Sequence, residues 1–306
     1  MLQITLTINQ SGRRFDRVLA AYLSTAPKSL IQKLLRKKRI KLNGKKAAGN
    51  EITNINDVVT FYMSSETVAA LQKPPKTATK TLQKPIKIIY EDSNILLVDK
   101  PQGLLTHSNK PGEQDTLVDR IIGYLKNAEF TPSVCNRLDY NTSGLVACAK
   151  NMPALQALNA IFANRQVDKI YFALVQGELQ GNDNLHGYII KDTAANRSYI
   201  LDYPSESAIA VHTEYASQKI ITQPNGKKIS LLKIILHTGK SHQIRAHLAN
   251  IGHPLVGDKK YGAETTKTGQ KLHCQSLIFK EIPTTSPLHY LTNQKYQAPI
   301  PNNFYE

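Results

Sequence analysis

The spacing of apolar and polar positions gives the chain two textures. Over residues 13–23, RRFDRVLAAYL, apolar side chains fall at 15, 18, 19, 22 and 23, the period of a helix with one buried face. Pro27 opens a second helix, PKSLIQKLLRKK, with apolar positions 30, 31, 34 and 35. RIKLNGKKA then reads as a strand turning at Asn43-Gly44, and DVVTFYM as a second strand. Residues 66–85, ETVAALQKPPKTATKTLQKP, combine three prolines with four lysines and predict an extended linker. From residue 86 the period shortens. IKIIYED, NILLVDKP, KIYFALVQG (169–177), AVHTEYASQKII (210–221), KISLLKIILHTG (228–239) and KLHCQSLIF (271–279) read as strands, and 116–126, 153–164 and 241–251 as helices. The strands outnumber the helices and do not alternate with them regularly. The expected class is therefore α+β: a mixed, mostly antiparallel central sheet with flanking helices over 86–306, preceded by a linker at 66–85 and a small α/β unit at 1–65.

Charge sharpens this division. Of the net +16, most lies in residues 1–50, where twelve bases face a single acid, Asp16. A folded-looking segment this basic points to a polyanion partner, above all nucleic acid, bound through counterion release. On the second predicted helix and just beyond it, Lys33, Arg36, Lys37 and Arg39 are placed to meet phosphates, while Leu30, Leu34 and Leu35 face inward. The apolar runs are too short to span a bilayer, so no membrane role is expected, and MLQITLTINQ lacks the features of a secretory signal. Three cysteines (Cys135, Cys148, Cys274) without C-x-x-C spacing suit a reducing cytoplasm better than a disulfide framework.

Candidate chemistry gathers in four segments. NRLDYNTSGLV (136–146) sets a lone carboxylate, Asp139, beside Arg137 and a turn of Asn, Thr, Ser and Gly. By residue type alone, Asp139 could equally cap that turn. In TGKSHQIRAHLANIGHPLVGDKKYG (238–262), Ser241 is the expected N-cap of a helix whose stripe Ile244, Leu248, Ile251 is buried. Arg245 sits beside the stripe and needs a partner. The histidines at 237, 242, 247 and 253 share no helical face and have no metal-site spacing, so no metal is expected. Tyr171 lies in DKIYFALVQG, where core packing explains it as readily as a site role. ILLVDKPQGLLTHS (95–108) runs from a strand into a loop carrying Lys100, Gly103 and His107.

Taken in order, NRLDYNTSGLVACAKN, KIYFALVQG, TGKSHQIRAHL…GHPLVGDKKYG and LLVDKPQG resemble the motifs of pseudouridine synthases of the RluA family. Their layout is most similar to members of the RluC and RluD kind, which act on large-subunit ribosomal RNA. The basic N-terminal segment resembles an S4-type RNA-binding domain. The resemblance implies the pseudouridine synthase fold and isomerisation of uridine to pseudouridine in RNA, most plainly 23S ribosomal RNA, with no cofactor and no obligate protein partner. It implies Asp139 as the catalytic acid, nucleophile at the sugar or base at its 2′ carbon, in a dry pocket. Arg245 would be its guanidinium partner and Tyr171 the aromatic wall for the base, with Ile170, Phe172 and Leu174 as weaker candidates for lining. Arg137, on the same strand face as Asp139, would fill the space vacated by the flipped nucleotide.

The chain departs from the family pattern at Asn136 (usually His), Tyr140 (usually basic) and Lys240 (usually Arg). Two readings compete with a ribosomal RNA synthase. One keeps the chemistry on tRNA. The other is a non-catalytic S4-type RNA-binding protein with an inactive synthase-like domain.

Overall fold

A computed structural model describes residues 1–72, 84–108, 115–126, 130–264, 266 and 269–305. The N-terminal body consists of β1 (Leu2–Thr5), α1 (Phe15–Tyr22), α2 (Lys28–Arg36), β2 (Ile40–Leu42), β3 (Lys45–Lys46), β4 (Val58–Phe61) and α3 (Ser65–Ala70). Its four strands are ordered β1-β4-β2-β3. Phe15, Val18 and Leu19 of α1 pack with Ile31 and Leu35 of α2 against Ile40, Val59 and Phe61 of the sheet. The β2–β3 hairpin turns on Asn43 and Gly44, both at positive φ (49° and 73°), the conformation that tight hairpins demand. Lys33, Arg36, Lys37 and Arg39 are exposed, and Leu35 is fully buried while Leu30 and Leu34 are half-buried. The segment assigned to a linker begins as α3 instead. Ser64 caps it by accepting from Thr67 N, and Val68 is buried in the N-terminal core. The Pro74-Pro75 stretch lies outside the described residues.

The second body holds β5 (Lys87–Glu91), β6 (Ile95–Lys100), α4 (Leu117–Leu125), β7 (Ser133–Val134), β8 (Ser143–Ala149), α5 (Met152–Ala163), β9 (Val167–Gln176), β10 (Asn182–Asp192), β11 (Arg197–Leu201), β12 (Ile209–Thr222), β13 (Lys228–Leu236), α6 (Gln243–Asn250), β14 (Leu272–Phe279) and β15 (Lys295–Gln297). One sheet of 11 strands runs β11-β10-β12-β13-β9-β14-β8-β6-β5, with β7 on β8 and β15 on β14. Every pairing is antiparallel except β14 with β8. The mixed, mostly antiparallel sheet with few helices is the class expected. Residues 95–98 of β6 and 145–149 of β8 are continuous apolar runs, fully buried because both faces of the sheet are covered there. The two bodies touch where Asn9 Oδ1 accepts from Met152 N (3.2 Å) and Gln156 Nε2 donates to Gly12 O (3.3 Å).

Gly144 shows why the T-S-G turn ends in glycine. It opens β8 at φ 111°, and a Cβ there would lie 2.2 Å from Cys274 O on β14. No side chain fits between these two backbones, so only glycine lets the strands pair at this point.

Candidate active site

The loop joining β7 to β8 carries Arg137 and Asp139. It is extended but unpaired, so the strand expected there is absent. The alternation survives nonetheless. Leu138 is buried, Arg137 and Asp139 are more open, and all three line a cleft of about 770 Å³. The loop is fixed residue by residue. Asn136 Nδ2 donates to Leu145 O (3.1 Å) and its Oδ1 accepts from Ala147 N (2.8 Å), so its amide imitates a strand residue against β8. That explains how Asn serves at this position. Thr106 Oγ1 donates to Leu138 O (2.8 Å) and accepts from Leu138 N (3.3 Å). Tyr140 O accepts from Gly103 N (3.0 Å) and from Lys100 Nζ (3.2 Å). Asp139 is thus pinned on both sides by the loop that follows β6.

Lys100 deserves the same accounting, because it is fully buried. Its ammonium donates to Leu104 O (2.7 Å), Pro101 O (3.1 Å) and Tyr140 O. Burial pulls it down to about 7, partly opposed by the negative charge of Asp139.

α6 delivers Arg245 from the other wall. Nη1 donates to Asp139 Oδ2 at 2.8 Å, while Nε and Nη2 grip Asp258 Oδ2 (2.6 Å) and Oδ1 (2.9 Å). The fork therefore uses two donors for anchorage and one for Asp139. The Tyr261 ring lies 5.0 Å from the guanidinium, and its hydroxyl is held by Ser198 N at 2.9 Å. Asp139 Oδ1 has no hydrogen-bond partner among the described residues and is the oxygen left for a substrate. The carboxylate side chain is 31% exposed, so the pocket expected to be dry is an open cleft in the free protein. His242 Nε2 stands 3.7 Å from Asp139 Oδ2, and burial depresses this imidazole to about 4, leaving it neutral near pH 7.

Tyr171 lies on β9 at the cleft and is 6% exposed; burial pushes its hydroxyl well above the ordinary range. Ile170, Phe172 and Leu174 do not line the cleft. Strand alternation turns 170 and 172 away from the face of 171, and Phe172 and Leu174 pack with Val256 and Phe304 in a separate cluster. Leu138, Leu236, Ile244 and Leu272 supply apolar lining instead.

α6 also differs from the one-sided helix expected. Every residue from Gln243 to Leu248 is buried, and the residue preceding the helix is His242 at φ 56°, not Ser241. Its polar side chains find partners inside the protein, except that His247 Nε2 is buried without a hydrogen-bond partner among the described residues. Gln243 Nε2 donates to Thr213 Oγ1 (2.9 Å), and His247 Nδ1 pairs with the same hydroxyl (2.8 Å). The four histidines are engaged separately: His237 with Glu214, His242 with Tyr261, His247 with Thr213 and His253 with Gln176 O. Among the described residues no cluster is placed to hold a metal ion, and no helix is long and apolar enough to cross a membrane. Lys33, Arg36, Lys37 and Arg39 belong to the N-terminal body and are not among the residues lining this cleft. Asp258 is the partner that sequence reasoning missed. Its signal was an acid thirteen residues after Arg245, in a G-D turn.

Residues 94–250 match the family model described as RNA pseudouridylate synthase. The chain belongs to the RNA pseudouridylate synthase family. It is 30% identical to an uncharacterized RNA pseudouridine synthase of Chlorobaculum parvum, over 96% of this chain and 92% of that protein. It is 28% identical to ribosomal large subunit pseudouridine synthase C of Haemophilus ducreyi (94% of this chain, 90% of that one). To synthase D of Yersinia pestis it is also 28% identical (85% and 76%). The human protein RNA Pseudouridylate Synthase Domain Containing 1 shares the fold, with a TM-score of 0.57 and 23% identity over 74% of this chain and 86% of that one. An RNA pseudouridylate synthase is an isomerase, and RNA is its substrate.

Proposed function

We propose that this RNA pseudouridine synthase acts on 23S ribosomal RNA with Asp139 as its catalytic acid. The observation that carries the assignment is the 2.8 Å bond from Arg245 Nη1 to Asp139 Oδ2 at the wall of the cleft. One carboxylate oxygen is held and oriented, and the other is left for the sugar of a flipped uridine. Whether Oδ1 attacks the 1′ carbon or removes a proton at the 2′ carbon, it starts from the same position. The glycosidic bond breaks, the uracil turns, and its carbon 5 bonds to the sugar. No atom is gained or lost, which is consistent with a site built from one carboxylate, one guanidinium and an aromatic wall. Tyr171 packs the detached base, and exposed Arg137 occupies the gap in the RNA stack.

The ribosomal assignment is supported by the large-subunit names of two relatives. The N-terminal body, read as an S4-type domain, adds a second RNA contact through Lys33, Arg36, Lys37 and Arg39. Purified protein incubated with 23S ribosomal RNA and tRNA transcripts, followed by mapping of pseudouridines, tests both points. Wild type should modify the ribosomal transcript, and Asp139→Asn should form no pseudouridine while binding the same RNA with nearly unchanged affinity. Conversion by Asp139→Asn at the wild-type rate would refute the role of Asp139. Conversion of tRNA alone would move the substrate.

A further inference from the structure

Among the described residues, the fully buried lysines have acceptors. Lys100 Nζ meets three main-chain carbonyls, and Lys271 Nζ, buried to 2% exposure, donates to Asn303 O at 2.6 Å. Lys169, on β9, is half-buried and lines the cleft, yet its ammonium has no hydrogen-bond or ion-pair partner among the described residues. The neighbouring Asp168 is no substitute, because it pairs with Lys280 at 2.7 Å. Burial lowers the pKa of Lys169, and the negative charge of Asp168 opposes this only in part.

Its position shows what the missing partner is. Lys169 and Tyr171 are two residues apart on β9 and share the cleft face. Opposite Lys169 is the T-G-K turn, where a Cβ added at Gly239 would lie 3.5 Å from Nζ. No side chain projects from residue 239 to meet Nζ, and Lys240, next in the chain, adds a second cation at the rim. The cleft is lined by Arg137, Lys169, Lys191, Lys240, Arg245 and Lys260 against one carboxylate, Asp139. Arg245 is already committed to two acids. An unpaired, half-buried ammonium in such a cleft is an anion site, and the only anions RNA offers are its phosphates.

We propose that Lys169, with Lys240 beside it, binds a phosphate flanking the uridine that enters the cleft, so that it positions the target nucleotide against Tyr171 and Asp139. The inference rests on the reading of this cleft as the uridine-binding site. It predicts a combination that a merely structural lysine would not give. Lys169→Met removes a poorly solvated charge, so the melting temperature should stay level or rise, while RNA binding weakens. The experiment compares wild type, Lys169→Met, Lys169→Gln and Lys169→Arg on a 23S ribosomal RNA transcript, reading affinity across a KCl titration, KM, kcat and melting temperature.

Both neutral variants should bind about tenfold more weakly at low salt. The slope of log affinity against log salt should fall by roughly 0.7–0.9, one phosphate contact. KM should rise more than kcat falls, and Lys169→Arg should restore most of the affinity. Unchanged affinity and slope would overturn the inference, as would a collapse of kcat with KM intact, which would make Lys169 a donor to the base instead. A lower melting temperature with normal RNA binding would make it structural and overturn the inference as well. If wild type converts no uridine in either RNA, the functional reading of the cleft fails by itself. The salt slope still reports whether Lys169 meets a phosphate.

Discussion

Replacing Asp258 by Asn tests how the site holds its charge. Arg245 and Asp258 have side chains only 8% and 2% exposed, and two of the three donors that Arg245 uses go to Asp258. Removing one partner of a buried ion pair costs about 3–5 kcal/mol, because the survivor stays desolvated. Two features lower that figure here. Asn keeps the volume and one carbonyl acceptor, and Asp139 still neutralises the guanidinium through Nη1. The expected loss is therefore about 3 kcal/mol, at the low end of the range for breaking a buried pair. For a body of this size that is a fall in melting temperature of about 6–12 °C. Turnover should suffer too, since Arg245 is released from the anchor that aims Nη1. A misplacement on the order of 1 Å costs up to about a hundredfold.

The decisive assay is a double-mutant cycle by urea denaturation with Asp258→Asn, Arg245→Met and both together. Arg245→Met strands the buried Asp258 carboxylate and Asp258→Asn takes from Arg245 two of its three acceptor bonds, whereas the double variant removes both buried charges, so its loss should be smaller than the sum by about 1 kcal/mol or more. Additivity within about 0.5 kcal/mol would refute the view that Asp258 neutralises and aims Arg245.

Lys100 gives a pH signature. Its ordinary value of 10.5 is drawn down to about 7 in the fold. Between these values the unfolded chain holds a proton that the folded chain has lost, so this group makes stability rise with pH from about 7 to about 10.5. Urea midpoints at pH 7 and pH 9 should show wild type gaining on Lys100→Met, and a constant gap would contradict the assignment. In the N-terminal body, replacing Lys33, Arg36, Lys37 and Arg39 with Gln should leave the melting temperature within about 2 °C, because all four are exposed. The same change should weaken binding to 23S ribosomal RNA and flatten its salt dependence by up to about 0.9 per lost phosphate contact. An unaltered slope in a KCl titration would remove that body from the RNA interface.

Legibility in the sequence followed burial. β6, β9, β13 and β14 were plain because strands packed into a sheet centre are rich in β-branched and aromatic residues. β10 and β11 were not read, because NDNLHGYIIKD and RSYIL lie toward the sheet edge, where exposed polar residues blur the alternation. Asp139, Tyr171 and Arg245 emerged from motif order, and the structure brings all three to one cleft. The mistakes share a cause. Ser241 as a cap and α6 as a one-sided helix both assumed that polar residues face water, whereas Gln243, Arg245 and His247 are buried and bonded to residues other than their helix neighbours. Asp258, and the strand-like bonding of Asn136, were missed for the same reason. Neither spacing nor residue type tells that a carboxylate will meet an arginine, or that an amide will imitate a strand backbone.

The charges of the site fall into two sets with different tasks. Arg245 and Lys100 are buried and bonded within the protein, Lys100 to main-chain carbonyls and Arg245 to both Asp139 and Asp258. That set turns its charges inward, so Asp139 keeps a fixed orientation. Arg137, Lys169, Lys191, Lys240 and Lys260 line the same cleft with no acid among its lining residues to balance them except Asp139, which already pairs with Arg245. Their surplus therefore acts outward, on the polyanion. The separation has a consequence for mutagenesis. Substitutions in the inner set should change turnover and stability and leave the salt dependence of RNA binding intact. Substitutions in the outer set should change that salt dependence and leave stability nearly intact, because among these cations only Lys260, whose ammonium donates to Asn196 O at 2.9 Å, has an internal hydrogen-bond or ion-pair partner among the described residues.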